Sequence, residues 1–230
     1  MKIRRINNEL EIKQEEDTVL VLGYFDGLHK GHQRLFKEAR KIAEEQGLKI
    51  AVLTFPESPK LAFVRYQPEL MLHLNHPEER AAHLENLGVD YLYLIDFTSH
   101  FSKNTAQEFF DKYVAALKAK AVVAGFDYHF GSDKRKAEEL ADYFDGQIVI
   151  VSSVNQDEEK ISSTRIRETV QNGDVAKAHQ LLGYPLSTRG IVVHGNARGR
   201  TIGYPTANLA PLDRVILPAD GVYVVDVDHN

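Results

Sequence analysis

The 230-residue sequence contains no cysteine. That excludes a disulfide framework, a thiolate nucleophile and a Cys-based zinc or iron–sulfur site. It also lacks any apolar run approaching the roughly twenty residues that a membrane-spanning helix needs. Lys2, Arg4 and Arg5 are followed by the polar, acidic stretch Asn7–Asp17, where a secretory signal would be apolar. A basic excess is missing as well: 28 Lys and Arg stand against 33 Asp and Glu, a formal charge of −5, opposite to the balance of a nucleic-acid-binding domain. The expectation is a cytoplasmic protein with neither nucleic acid nor a membrane as partner; nothing in the sequence signals an oligomeric state. Apolar residues at 43% and charged residues at 27% exclude wholesale disorder. The length suffices for one full domain and part of a second.

From Val19 to about Gly183 strand and helix patterns alternate. Val19–Leu22 is a short apolar run ending at Gly23, as a fully buried strand would. Leu35, Ala39, Ile42 and Ala43 then recur at helical spacing up to Gly47. Further strands are predicted over Ile50–Phe55, Tyr91–Ile95, Ala121–Ala124 and Ile148–Val151, with helices over Pro77–Leu87, Thr105–Leu117 and Asp133–Phe144. This alternation predicts an α/β fold, an open parallel sheet with helices on both faces. Asn172-Gly173-Asp174 should stop one helix and cap the next, which ends near Gly183. Beyond a boundary at Gly183–Pro185 the texture turns to β, with strands expected over Gly190–Val193 and Gly221–Val227. The domains are thus 1–184 and 185–230. The second has too few strands to close a barrel, so the chain is expected to stop partway through it.

The chemistry concentrates in Gly23-Tyr24-Phe25-Asp26-Gly27-Leu28-His29-Lys30-Gly31-His32. This segment lies at the carboxyl end of the first strand, where open α/β sheets bind ligands. Gly23, Gly27 and Gly31 let the backbone approach a ligand closely, and the following helix aims its free N–H groups at that place, which suits phosphate. His29 and His32, three apart, share a helix face and can donate to one phosphoryl group. The spacing matches neither a P-loop nor a Gly-x-Gly-x-x-Gly fingerprint.

His-x-Gly-His resembles the nucleotidyltransferase superfamily, and the longer Gly-x-Phe-Asp-Gly-x-His-x-Gly-His string resembles its bacterial riboflavin kinase/FMN adenylyltransferase (FAD synthetase) branch. Gly125–Gly131 looks like that family's Gly-x-Asp-x-x-Phe-Gly loop, and Ile161–Arg167 like its phosphate-gripping Ile-Ser-Ser-Thr-x-x-Arg motif. Gly203-Tyr204-Pro205-Thr206-Ala207-Asn208 resembles the riboflavin kinase signature. Each also has a plain reading. Ser162, Ser163 and Thr164 could cap a helix beginning near Arg165, without a capping box. Asp127 and His129 could be ordinary loop residues, Pro205-Thr206 a turn, and Gly195–Gly199 a hairpin loop with solvated Arg198 and Arg200. These plain readings lose weight because the motifs occur together and in family order.

The resemblance implies an N-terminal sheet of the nucleotidyltransferase type followed by a partial β-barrel kinase module. It implies adenylyl transfer from ATP to FMN, with riboflavin phosphorylation by a complete second module and Mg²⁺ bridging phosphates. His29 and His32 would stabilise charge on the α-phosphate, as neutral donors or more strongly when protonated. Arg167 with the Ser162–Thr164 hydroxyls would take the β- and γ-phosphates, and Asp127 would position ATP or its Mg²⁺. Gly23, Phe25, Asp26, Gly27 and Gly31 would shape the nucleotide site, Gly195 and Gly199 the kinase loop, and Thr206 and Asn208 would hold Mg²⁺. Positive character should be local, at His29, Lys30, His32, Arg165 and Arg167. Two departures stand out. No His lies between Pro56 and Pro59, where relatives usually carry one. No Glu follows Glu168 to serve as the kinase base; Asp213, Asp220, Asp226 and Asp228 match no such motif, and the 230 residues are expected to be inactive as a riboflavin kinase. The rival readings are nucleotidyl transfer to another acceptor, such as pantetheine phosphate or nicotinamide mononucleotide, and a non-catalytic flavin- or nucleotide-binding regulator.

Overall fold

A computed structural model describes residues 1–65, 71–196, 198–212 and 214–229; Asp213 lies outside them. Lys2–Ile6 (β1), Thr18–Leu22 (β2), Lys49–Thr54 (β3), Tyr91–Ile95 (β4) and Ala119–Gly125 (β5) are joined by Gln147–Val151 (β8) in one six-stranded sheet, after a small hairpin of His129–Phe130 (β6) and Arg135–Lys136 (β7). The order is β1-β4-β3-β2-β5-β8, and every pairing is parallel. β2 is buried at all five positions because its alternate side chains serve two layers. Leu20 and Leu22 pack with Tyr93, Phe109 and Tyr113 on one face. Val19 and Val21 pack on the other with Leu35, Phe36 and Ala39 of Lys30–Gln46 (α1).

The helices are set by their caps. α1 ends at Gly47 in the left-handed conformation (φ 68°). Pro77–Asn86 (α2) carries Pro at its first position. After the single turn Ser99–Ser102 (α3), Thr105 and Glu108 form a capping box on Ala106–Phe109 (α4). α4 continues as one π-helical stretch, Phe110–Val114, burying Phe110, Tyr113 and Val114 together. Beyond β8 come the hairpin Asn155–Gln156 (β9) with Glu159–Lys160 (β10), then Ser163–Gln171 (α5) and Val175–Leu182 (α6). Asn172 ends α5, Asp174 caps α6 and Gly183 closes it (φ 87°), as the sequence predicts. α5 and α6 bury Ile166, Val170, Ala178 and Leu181 against Leu74 and Ile216.

Three expectations are corrected. The N-terminal residues form β1, an edge strand whose Lys2, Ile3 and Arg5 are exposed; its charges disguise it in sequence and protect the edge. Asp133–Phe144 is not an α-helix. Arg135–Lys136 joins the β-hairpin and Ala137–Asp142 is a 3₁₀ helix burying Ala137 and Leu140, whose spacing of three fits three residues per turn. Tertiary bonds override helix propensity here: Asp133 accepts the Ala106 N–H at 2.9 Å, and Arg135 spans Asp133 and Glu139. In the last segment Gly190–Val193 (β11) pairs with Asn208–Pro211 (β12) around a four-residue helix, Arg198–Thr201 (α7). Gly221–Val227 forms no strand, with Val222 and Val224 fully exposed; no neighbouring strand among the described residues pairs its backbone.

Candidate active site

β2 lies between β3 and β5, so the loops after β2 and β5 flank the point where the strand order reverses. A cleft of about 1110 Å³ opens there, larger than the roughly 300–1,000 Å³ that one small ligand usually occupies.

The loop after β2 is strained and firmly held. Phe25 (φ 58°) and Leu28 (φ 34°) have positive φ without being glycine, at a cost of order 1–3 kcal/mol each. Both are fully buried anchors; Phe25 packs edge-on against His32 at 5.3 Å and against Phe36 at 5.2 Å. Gly27 has φ 79°, and a Cβ there would meet Leu74 Cδ1 at 2.7 Å. The space beside Gly23 is filled by the Phe25 ring, and that beside Gly31 by the His29 ring. These two glycines make room for the chain's own side chains.

His29 is the N-cap of α1. Its Nδ1 accepts the His32 N–H at 3.3 Å, and the two imidazoles stack with centroids 3.7 Å apart. With Nδ1 an acceptor, the neutral ring carries its proton on Nε2, leaving a donor. Burial pushes His29 down to about 4 from an ordinary 6.5, and pushes His32 well below its usual range. Without a ligand both rings are therefore neutral at pH 7. His32 Nδ1 is buried without a hydrogen-bond partner.

α5 aims its N-terminus at the same cleft. Ser162 is the cap, its Oγ accepting the Arg165 N–H at 3.2 Å, and no capping box forms. Ser163 Oγ donates to the Asp26 carbonyl at 2.9 Å, and Thr164 is exposed on the cleft wall. Arg167 Nη2 donates to Asp26 Oδ2 at 2.6 Å and to the Leu72 carbonyl at 2.5 Å. The other oxygen of the buried Asp26 carboxylate accepts the Leu74 N–H at 2.9 Å. Asp127 lines the cleft from the β5 loop, paired with Lys160 at 2.5 Å; the Lys160 ammonium also lies over the Phe126 ring.

Lys30 and Arg165 do not line the cleft. Arg165 braces the β9–β10 hairpin through the Glu159 carboxylate and the Gln156, Glu159 and Lys160 carbonyls, and Lys30 reaches Gln156. The Lys and Arg side chains that do line the cleft are Arg167, Lys160, Lys60 and Lys134. Sequence reasoning missed Lys160, the strap Leu72–Asn75 across Asp26, and an aromatic wall. In that wall Phe97 meets Phe55 at 5.2 Å and Phe63 and Phe101 at 5.5 Å. All four Phe line the cleft. Phe55 and Phe63 follow β3, and Phe97 and Phe101 follow β4; the two aromatics of Phe97-Thr98-Ser99-His100-Phe101 are the one local signal, and nothing in sequence joins them to the β3 loop.

Among the described residues no group of three or more His, Cys, Asp or Glu could hold a metal. Thr206 and Asn208 offer hard oxygens. Asn208 occupies the space beside Gly195, where a Cβ would lie 2.1 Å from its Nδ2, and Thr206 Oγ lies 3.2 Å from a Cβ built on Gly199. Gly195 thus admits the Asn208 side chain, whereas Gly199 chiefly admits the Tyr204 backbone carbonyl, 2.1 Å from such a Cβ. Such a donor set fits Mg²⁺ carried on a nucleotide, which takes few protein oxygens and keeps water and phosphate ligands.

Residues 11–165 match the FAD synthetase family and residues 182–230 match riboflavin kinase. This chain belongs to the FAD synthetase family. It is 43% identical to the bifunctional riboflavin kinase/FMN adenylyltransferase of Listeria monocytogenes over 93% of its length and 69% of the relative's. For the Bacillus subtilis protein of the same name the figures are 40%, 95% and 70%. A solved Streptococcus pneumoniae structure, named a macrolide-efflux protein, superposes with a TM-score of 0.94 at 57% identity, covering 96% of this chain and 73% of that one. Among the described residues no helix is long and apolar enough to cross a membrane.

Proposed function

We propose that this chain transfers the adenylyl group of ATP to FMN, giving FAD and pyrophosphate. The observation that carries the reading is the stacked His29–His32 pair, its tautomer fixed by the His32 amide, at a cleft onto which two helix N-termini open. The FMN phosphate oxygen is already anionic and attacks the α-phosphorus directly, so no general base is needed. One O–Pα bond forms as the Pα–O–Pβ bond breaks, and pyrophosphate carries away the electron pair. His29 Nε2–H, with His32, donates to the α-phosphate oxygens where charge builds. The Ser163 and Thr164 backbone amides and the Thr164 hydroxyl, with Arg167, take the β- and γ-phosphates, and Asp127 with Lys160 closes the nucleotide side. The aromatic wall of Phe55, Phe63, Phe97 and Phe101 suits a flat flavin ring, and the cleft's size suits two ligands at once. Mg²⁺ on the triphosphate would offset charge on the leaving pyrophosphate.

We assign the domain boundary to Gly183–Pro185, a reading supported by the Gly183 cap that ends α6. The segment beyond it, matching riboflavin kinase, is assigned the Mg–ATP corner of a second reaction that phosphorylates riboflavin to FMN, the acceptor of the first. Thr206 and Asn208 would hold Mg²⁺ there, and Gly195 and Gly199 would shape the loop around the phosphates. A cytoplasmic setting, where ATP and FMN are found, suits both steps.

Incubating the protein with ATP, Mg²⁺ and, separately, FMN, pantetheine phosphate and nicotinamide mononucleotide tests the reading by product mass. FAD from FMN alone is expected; an adenylylated product only from another acceptor, or from none, would overturn it.

A further inference from the structure

Asp26 lines the cleft, yet each of its carboxylate oxygens and its carbonyl already has a protein partner. It is 3% exposed, and both carboxylate oxygens and its carbonyl are engaged from three directions. Oδ1 accepts the Leu74 N–H at 2.9 Å, Oδ2 accepts from Arg167 Nη2 at 2.6 Å, and the carbonyl accepts from Ser163 Oγ at 2.9 Å. Two of these partners belong to α5 and the third to the Leu72–Asn75 strap, which itself supplies the second acceptor for Arg167, the Leu72 carbonyl. Asp26 also lies three residues before the His29 cap of α1.

We propose that Asp26 is a positioning residue: it fixes the α5 N-terminus and the Arg167 fork relative to the histidine pair, and touches neither substrate. A carboxylate is needed because an arginine held on one neutral carbonyl keeps several orientations, whereas a charge-assisted bond to a buried oxygen selects one. Only one Arg167 nitrogen is used by Asp26 and Leu72, so the rest of the fork remains for phosphate oxygens. The buried anchors Phe25 and Leu28 on either side of Asp26 fix the loop that carries the carboxylate, and the strap holds it from behind.

This inference rests on the assignment of Arg167 to the ATP phosphates, and a double-mutant cycle separates the two. Asp26→Asn keeps the shape and the acceptor for Leu74 but removes the charge facing Arg167. The full chain, D26N, R167A and the double variant are assayed for FAD formation across ATP concentrations. D26N is expected to raise the KM for ATP about tenfold, the scale of one charged hydrogen bond, with kcat changed by less than about threefold. In the R167A background D26N should add nothing. Equal effects of D26N in both backgrounds, or a fall in kcat at unchanged KM, would overturn the proposal while leaving Arg167 assigned. An R167A variant with unaltered KM for ATP would remove the phosphate role of Arg167 and the proposal with it. If D26N does not fold, Asp26→Glu, which keeps the charge and shifts it by one methylene, runs through the same cycle with the same expectation.

Discussion

His29 Nδ1 accepts the backbone N–H of His32 while the two rings stack 3.7 Å apart. One bond thereby caps α1, selects the His29 tautomer and orients its remaining donor. A helix cap here doubles as the preorganisation of a phosphate-binding group.

Removing that donor should cost rate more than affinity. His29→Ala is expected to lower kcat for adenylyl transfer by roughly 10²–10³-fold, the scale of one lost preorganised donor, with the KM for ATP within a few-fold. Steady-state FAD formation measures both; near-normal kcat would remove His29 from the chemistry.

Gly31→Ala separates geometry from stability. A Cβ at Gly31 would lie 3.0 Å from His29 Nδ1 and Cε1, so the imidazole must shift. Alanine in the first turn of α1 is otherwise favourable by up to about 1 kcal/mol. The variant should unfold at or above the wild-type urea midpoint yet lose about tenfold or more in kcat, as misplaced catalytic groups do.

The buried histidines make stability fall in mild acid. Their folded-state affinity for protons is lowered, to about 4 for His29 against an ordinary 6.5. Between those limits the unfolded chain binds protons that the folded one refuses. Stability is therefore intact above pH 6.5 and declines as pH falls towards 4, by on the order of 3 kcal/mol for His29 alone. Urea midpoints at pH 7.5, 5.5 and 4.5 should fall less steeply for a His29→Gln, His32→Gln variant than for the wild type. Identical slopes would contradict the burial account.

The aromatic wall should discriminate between substrates. Phe97→Ala opens the centre of that wall, distant in sequence from every phosphate-binding motif, and is expected to raise the KM for FMN about tenfold, as loss of a stacked ring does, while the KM for ATP stays within about twofold. Parallel titrations of the two substrates read this directly.

What the sequence made legible is what local patterns encode. The apolar run of β2, the α1 stripe ending at Gly47 and the Asn172-Gly173-Asp174 punctuation all lie in short windows, and all appear in the structure at or near their expected bounds. β1 was hidden because an edge strand can be charged, and 133–144 because Asp133 and Arg135 bond to distant partners instead of completing a helix. Within the site, the histidine pair could be read from its spacing. The Asp26–Arg167 pair, 141 residues apart, could not, since no local rule says which arginine a buried carboxylate meets. The Phe97 wall and the Leu72–Asn75 strap are likewise products of loops brought together by the sheet order.

The most direct test of adenylyl transfer follows the phosphorus atoms. The protein is incubated with FMN, Mg²⁺ and ATP labelled at either the α- or the γ-phosphorus, and the label is traced in flavin and pyrophosphate. Label from the α-position should appear in FAD, and label from the γ-position only in pyrophosphate. Label from the γ-position in the flavin, or no label in it from either ATP, would contradict the account.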